Sequence, residues 1–283
     1  MSDTLTPEIP QIPLAGVIGW PVAHSRSPLL HGHWLKRYGI KGHYVPLAIR
    51  PEHLAEALRV LPKAGFVGVN VTIPHKEAVL ALADVVTDRA ALIGAANTLI
   101  FRPDGKIHAD NTDGYGFIAN LRQNAPDWHP ERATAAVIGA GGAARAVVAS
   151  LLDAGVPELR IANRTRLRAE QIRNEFGARV VVYDWGQVGN MLEGVGTAVN
   201  ATSLGMDGKA ALRVPLDALP ATALATDLVY TPLDTPFLIE ARERGCRTVD
   251  GLGMLLHQAA PGFERWFGHK PEVDEELRAA VLA

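Results

Sequence analysis

The chain has 283 residues, 48% apolar and 20% charged, the balance of a globular chain long enough for two domains or one large one. Its 28 Lys and Arg against 30 Asp and Glu leave a net charge of −2, which gives no electrostatic footprint for nucleic acid or an anionic membrane. The single cysteine, Cys246, excludes an internal disulfide and a Cys-rich zinc site. Glycine is in excess, with 27 residues, and points to tight turns and close backbone approaches. Residues 1–13 carry Asp3, Glu8 and prolines without a basic cluster, so they read as a short tail and not as a signal peptide. No apolar stretch approaches the ~20 residues of a membrane helix. The longest, residues 90–101, is too short, and a cytoplasmic protein is expected.

Residues 14–20 (LAGVIGW) form an apolar run ending at Pro21, as a buried strand does. Residues 28–38 read as a helix with Leu29, Leu30, Trp34 and Leu35 on one face and Gly39 as its stop. Residues 43–48 (HYVPLA) read as a short or edge strand, since Pro46 has no amide to donate. Residues 51–61 give an amphipathic helix, with Leu54, Ala57, Leu58 and Leu61 sharing a face. Residues 66–73 (FVGVNVTI) are a β-rich run stopped by Pro74, and residues 95–101 and 106–109 pair around Pro103-Asp104-Gly105. This alternation is that of an α/β layer.

Residues 113–121 read as a helix and 124–132 as a polar loop. Residues 133–138 (ATAAVI) are a strand running straight into Gly139-Ala140-Gly141-Gly142, and 143–154 a helix closed by Gly155. Further strands are expected at 159–163, 180–183, 197–200 and 225–229, and helices at 167–176, 237–244, 254–267 and 272–282.

Strand, glycine turn and helix together give the G-x-G-x-x-G/A spacing of Gly139, Gly141 and Ala144 its meaning. The first glycine permits the turn, the second lets backbone approach a pyrophosphate, and the small third residue lets helix and strand pack. The helix amides then face the phosphates. For NAD, the next strand should end in an acid that binds the ribose 2′-hydroxyl. This one ends in Asn163-Arg164-Thr165, with Arg166 and Arg168 behind. Guanidinium groups pair with a 2′-phosphate, so NADP is expected over NAD.

The first half places polar residues at strand ends and turns, where packing explains them least. Ser25 and Ser27 flank a helix start and can bind an anion, although on this segment alone an N-cap role for Ser27 is the better account. Asn70 and Thr72 alternate along a strand and so face one side, with Val71 and Ile73 on the other. Lys76 follows as a candidate acid/base group. Asn97 stands among apolar residues, and Asp113 lies at the crossing between the two halves, placed to orient Lys76 and a substrate hydroxyl.

Assembled, these residues resemble the shikimate dehydrogenase family over nearly the whole chain. Nine segments carry the likeness in order: GWPVAHSRSPLLH, GVNVTIPHK, GAANTL, DNTDGYGF, IGAGGAARAV, NRT, NATSLGM, DLVYTPLDTPF and DGLGMLLHQA. The resemblance implies a two-domain α/β fold. An N-terminal α/β substrate domain, residues 1–113, is completed by C-terminal helices at 252–283, and a Rossmann-type NADP domain is inserted at 114–251. It implies reversible, NADP-dependent reduction of 3-dehydroshikimate to shikimate in aromatic amino acid (chorismate) biosynthesis, by a monomer or homodimer. Lys76 is then the proton donor and acceptor and Asp113 its partner. Ser25 and Ser27 hold the ring carboxylate, and Asn70, Thr72, Asn97, Tyr230 and Gln258 the ring hydroxyls. On the cofactor side, Gly139, Ala140, Gly141, Gly142 and Ala143 cradle the pyrophosphate. Asn163, Arg164, Thr165 and Arg168 hold the 2′-phosphate end. Thr202, Ser203, Leu228, Gly251 and Met254 line the nicotinamide, with Asp88 as a further contact. Ala96 and Thr231 depart from the commoner valine and asparagine without touching these groups.

No metal is expected. His31 and His33 sit two apart on a helix and point to different sides, and none of the ten histidines makes an H-E-x-x-H pattern. His24, His75 and His257 flank the motifs with roles left open, and closure of the two domains on their ligands is expected. The rival readings are a quinate or aminoshikimate dehydrogenase of the same family, and a non-catalytic NADP(H)-sensing relative, which the joint presence of Lys76 and Asp113 disfavours.

Overall fold

The computed structural model describes residues 12–283, so most of the segment read as a tail lies outside the described residues. The chain first builds a six-stranded sheet in the order β2-β1-β3-β5-β6-β4. Its strands are β1 (Leu14–Gly19), β2 (His43–Ala48), β3 (Phe66–Val71), β4 (Val85–Val86), β5 (Thr98–Phe101) and β6 (Ile107–Asp110). β1 pairs in parallel with β2 and β3, while β5 runs antiparallel to β3 and β6. β1 is buried along nearly its whole length, which is why it reads as an unbroken apolar run and not as an alternation. Pro46 sits opposite Val17 on β2, the sheet's edge strand, where a missing amide leaves no ladder bond open.

Three helices accompany this sheet: α1 (Ser27–Arg37), α2 (Leu54–Val60) and α3 (Asp88–Ile93). The helix expected at 51–61 is shorter than its periodicity implied. Only Leu54–Val60 is α-helical, flanked by 3₁₀ turns at Pro51–His53 and Leu61–Ala64. Pro62 has no amide to donate back to Leu58 O, so the α ladder ends there although Leu61 keeps α-region angles (φ −52°, ψ −46°). The alternation expected at 70–73 also stops early. β3 ends at Val71, and Ile73 is 66% exposed where the sequence paired it with buried Val71. α3 went unread in the sequence, although Thr87 caps its first turn through Ala90 N and Gly94 ends it at φ 72°.

The second sheet is all parallel, in the order β12-β11-β10-β7-β8-β9. Its strands are β7 (Ala135–Ile138), β8 (Leu159–Ala162), β9 (Val180–Tyr183), β10 (Thr197–Asn200), β11 (Leu224–Asp227) and β12 (Arg247–Val249). The helices around it are α4 (Asp113–Asn124), α5 (Gly142–Asp153), α6 (Arg166–Phe176), α7 (Val188–Met191) and α8 (Pro236–Glu243). This is the doubly wound dinucleotide-binding order, with its switch point between β7 and β10, where ligands meet the carboxyl ends of the strands. The fold is thus α/β with a Rossmann-type sheet.

α9 (Leu252–Phe267) and α10 (Glu275–Leu282) finish the chain. Leu252, Leu256, Phe263, Leu277 and Val281 share one core cluster with Leu30 and Trp34 of α1. α4 instead puts Phe117 and Leu121 into the core of the second sheet. The two helices pack closely, because a Cβ at Gly116 would lie 2.6 Å from the Met254 carbonyl oxygen.

Candidate active site

A cavity of about 250 Å³ lies between the two sheets. The first sheet's side supplies Ser25, Ser27, Asn70, Thr72, Lys76 and Asn97, together with Asp113 at the start of α4. Ala143, Leu228, Tyr230, Gly251 and Met254 face them, with Gln258 on α9. His24, Arg26, Ala143, Leu228 and Tyr230 also line a second cavity of about 630 Å³, which reaches Thr202 and Ser203 at the end of β10.

Lys76 stands in the turn after β3, and its carbonyl oxygen accepts a hydrogen bond from Ala96 N at 2.8 Å, which ties that turn to the loop before β5. Its ammonium donates to Asp113 Oδ2 at 2.7 Å, with the two side chains 29% and 12% exposed. Asp113 occupies the first position of α4, where the helix dipole favours a carboxylate. Its other oxygen accepts from Asn97 Nδ2 at 2.7 Å, and its amide donates to Asn111 Oδ1 at 3.0 Å. Asn97 also donates to Gln258 Oε1 at 3.1 Å and accepts from the Thr112 amide at 2.8 Å. Asn97 therefore lines the cavity with both its donors already engaged inside the protein. Asn70 Nδ2 donates to Asn97 O at 3.1 Å, while Asn70 Oδ1 accepts from the Tyr44 hydroxyl at 2.7 Å.

Helix α1 opens on this cavity. Its cap position is Arg26, not Ser27, and the Arg26 side chain makes no capping bond. Ser25 Oγ accepts from the Ser27 amide at 3.3 Å, so both serines lie at a helix N-terminus that can receive an anion. One layer back, Asp110 is 1% exposed. Burial alone pushes its carboxyl up. The ion pair with Arg89 and the hydrogen bonds from Thr87 and the Asn111 amide outweigh that and hold it below the usual range. Arg89 and Tyr44 are supporting residues that the sequence reading missed. Arg89 lies in the unread helix α3, and Tyr44 shows no polar pattern in its strand.

Gly139 leaves β7 at φ 113°, and a Cβ there would meet Thr202 Cγ2 at 2.9 Å. A Cβ at Gly141 or Gly142 would meet nothing within 4 Å, so space is open over the uncapped start of α5. Open space over free helix amides fits a pyrophosphate. Asn163 Oδ1 accepts from Ala140 N at 3.2 Å and so ties the glycine turn to the 163–165 segment. Arg166 is spent on Glu170 at 2.8 Å and Asp184 at 2.6 Å. Arg164 and Arg168 are exposed and carry no ion pair among the described residues. This donor set suits a nucleotide with a 2′-phosphate.

Not every expected residue reaches the cavities. Asp88 is exposed on the first turn of α3 and lines neither. Of the three open histidines, His24 lines both cavities. His75 is buried and donates to Ile49 O at 2.7 Å. His257 Nε2 donates to Gln123 Oε1 at 2.8 Å, joining α9 to α4, and burial lowers its pKa to about 4.

Comparison with known proteins agrees with this geometry. Three family models match: the shikimate dehydrogenase substrate-binding domain at residues 17–99, shikimate/quinate 5-dehydrogenase at 121–205, and the shikimate 5-dehydrogenase C-terminal domain at 251–282. The chain is 79% identical over 283 residues to a shikimate dehydrogenase (NADP(+)) of Paracoccus denitrificans, covering 100% of both chains. A shikimate 5-dehydrogenase of Thermus thermophilus, solved with NADP(H) and shikimate, aligns at TM-score 0.84 and 38% identity, over 96% of this chain and 98% of that one. A quinate dehydrogenase of Corynebacterium glutamicum, solved with NAD, aligns at TM-score 0.88 and 30% identity, over 96% and 99%. Two sheets in the right topology, a Lys–Asp pair in the cleft between them and full-length identity of this order place the chain in the shikimate dehydrogenase family.

Proposed function

We propose that this chain is an NADP-dependent oxidoreductase that reversibly reduces 3-dehydroshikimate to shikimate, a step of aromatic amino acid biosynthesis. The observation that carries the reading is the Lys76–Asp113 pair, 2.7 Å apart in a polar cavity that adjoins the open glycine turn. Reduction of a ring ketone needs a hydride and a proton. Bound NADPH supplies the hydride. Lys76, charged and held by Asp113, gives its proton to the alkoxide oxygen that forms, and in the oxidation direction neutral Lys76 takes the hydroxyl proton back. Asn97 keeps Asp113 in place for both directions.

Ser25 and Ser27 hold the substrate carboxylate at the start of α1. Asn70, Thr72, Asn97, Tyr230 and Gln258 surround the ring, a role supported by their place in the same cavity. The pyrophosphate is assigned to 139–143 and the 2′-phosphate to Asn163, Arg164, Thr165 and Arg168. Thr202, Ser203, Leu228, Gly251 and Met254 are assigned to the nicotinamide. The domain division into 1–113 with 252–283, and 114–251, is supported by the core that α9 and α10 share with α1. No described helix is long and apolar enough to cross a membrane. Cys246, a buried free thiol, suits the reducing cytoplasm. A monomer or homodimer fits equally.

The test follows NADPH absorbance with shikimate plus NADP⁺, quinate plus NADP⁺, and quinate plus NAD⁺. The first pair is expected to give the highest kcat/KM, and a preference for quinate with NAD⁺ refutes the reading. Lys76→Ala is expected to lower kcat by ~10²-fold or more, the scale of general acid–base work. A purified variant with near-normal kcat refutes the role of Lys76.

A further inference from the structure

Asp227, at the carboxyl end of β11, is completely buried, and no cation meets it among the described residues. Its oxygens accept from Asn200 Nδ2 at 3.0 Å, from the Val229 amide at 2.9 Å and from Thr235 Oγ1 at 2.7 Å. Asn200, at the end of β10, is also fully buried. Its Oδ1 accepts from the Thr202 amide at 3.0 Å and from Thr202 Oγ1 at 2.7 Å, and its Nδ2 donates to Leu204 O at 3.1 Å. One carboxylate thereby fixes three segments: the loop after β10, the exit of β11 and the cap of α8. The first two form a wall of the larger cavity, through Thr202, Ser203, Leu228 and Val229.

An unpaired buried carboxylate is a costly way to fill space. Burial pushes the Asp227 carboxyl up, and the hydrogen bonds of Asn200, Thr235 and Val229 oppose that shift. The partners explain why the group is an acid. All three point donors inward, and only a side chain without hydrogens of its own accepts from every one of them.

We propose that Asp227, acting through Asn200 and Thr235, is the positioning residue of the nicotinamide wall, setting the loop after β10 against the exit of β11. The inference rests on the NADP reading of that cavity. Neither Asp227 nor its partners touch the Lys76–Asp113 pair, and of the proposed shikimate contacts only Tyr230 lies on the exit of β11, so loss of the network should act mainly on the cofactor side.

The experiment compares Asp227→Asn, Thr235→Val and Thr235→Ser with the unaltered enzyme, measuring KM for NADP⁺, KM for shikimate and kcat. Asp227→Asn keeps the volume but turns a donor toward donors. It is expected to raise KM for NADP⁺ and lower kcat by roughly 10-fold each, the loss of one hydrogen bond to a charged group. KM for shikimate is expected to stay within about 3-fold, because Ser25, Ser27, Lys76 and Asp113 lie on segments the network does not hold and only Tyr230 follows the segment that it does. Thr235→Val should show the same split, and Thr235→Ser, which keeps the hydroxyl, should restore most of it. These two variants carry the test if Asp227→Asn does not fold. Unchanged NADP⁺ kinetics, or equal rises in both KM values with no serine rescue, overturns the proposal. If the unaltered enzyme neither binds NADP⁺ nor oxidises shikimate, the functional reading fails first; if it is active and the variants match it, only this inference fails.

Discussion

Replacing Asn97 by Ala should damage stability and catalysis together. Asn97 is 3% exposed and makes five side-chain hydrogen bonds. Two are donated, to Asp113 Oδ1 at 2.7 Å and Gln258 Oε1 at 3.1 Å. Three are accepted, from the Thr112 amide, the Thr112 hydroxyl and the Thr98 hydroxyl. The two threonine hydroxyls are 3.3 Å apart and can pair with each other once Asn97 is gone. The Thr112 amide and Gln258 Oε1 then lose a partner, at about 1–3 kcal/mol for each buried group. Water entering from the adjoining cavity offsets part of this. The net loss is about 2–4 kcal/mol, and at ~2–4 °C per kcal/mol it lowers Tm by about 4–16 °C. Asp113 keeps Lys76 but loses its second anchor, and misplacement of that kind costs up to ~10²-fold in kcat. Differential scanning fluorimetry and steady-state shikimate oxidation measure the two effects on one preparation. A Tm within about 2 °C of the parent, with kcat within about 2-fold, refutes the view that Asn97 organises the site.

Two further outcomes follow from the same geometry. Arg164→Glu places a carboxylate where a 2′-phosphate is expected, and should lower kcat/KM for NADP⁺ by roughly 10–10²-fold while leaving NAD⁺ little affected; equal losses for both nucleotides sink that assignment. His31 is fully buried, stacked on Tyr44 at 3.9 Å, and burial, opposed by Asn70 beside it, lowers its pKa to about 3. The unfolded chain takes up this proton near pH 6.5 and the folded chain does not, so its stabilising effect is complete above that value and is lost progressively as pH falls toward 3. Between pH 7 and 5 the loss from this one group is about 2 kcal/mol, and His31→Phe should flatten urea-measured stability over that range by about this amount. An unchanged pH slope in the variant contradicts a buried neutral imidazole.

Legibility in the sequence followed the size and self-sufficiency of each signal. The β7–turn–α5 unit was readable because glycine spacing, apolar strand and helix start are all required by one ligand geometry. β9 and β10 were readable to the residue, since their apolar runs are bounded by turn residues. β4 and β12, of two and three residues, are too short for any period to register. β11 stops at Asp227, two residues before its apolar run ends, because that carboxylate turns inward to accept the Val229 amide. Composition could not show this. The same holds for the cavity. The polar residues announced themselves by type and position, but which of them are engaged with one another depends on long-range contacts such as Asn97 with Gln258, 161 positions apart.

Those contacts also decide which side of the cleft the Lys76–Asp113 pair belongs to. Asp113 begins α4, a helix whose Phe117 and Leu121 sit in the core of the second sheet. Its side chain nevertheless bonds Lys76 and Asn97, and the preceding Thr112 donates to Gln258 O at 2.8 Å. Asp113 is thus held by the first sheet and α9 at the point where α4 departs. Ala143, Leu228 and Tyr230 come from the opposite wall and have no such tie to the pair. Arg145 on α5 does reach across, donating to Ile93 O at 2.6 Å at the end of α3. An approach of the second sheet's wall would therefore leave the Lys76–Asp113 pair as it stands, because the side chains and amides that bond it, from Lys76, Asn97 and Asn111, do not come from that wall.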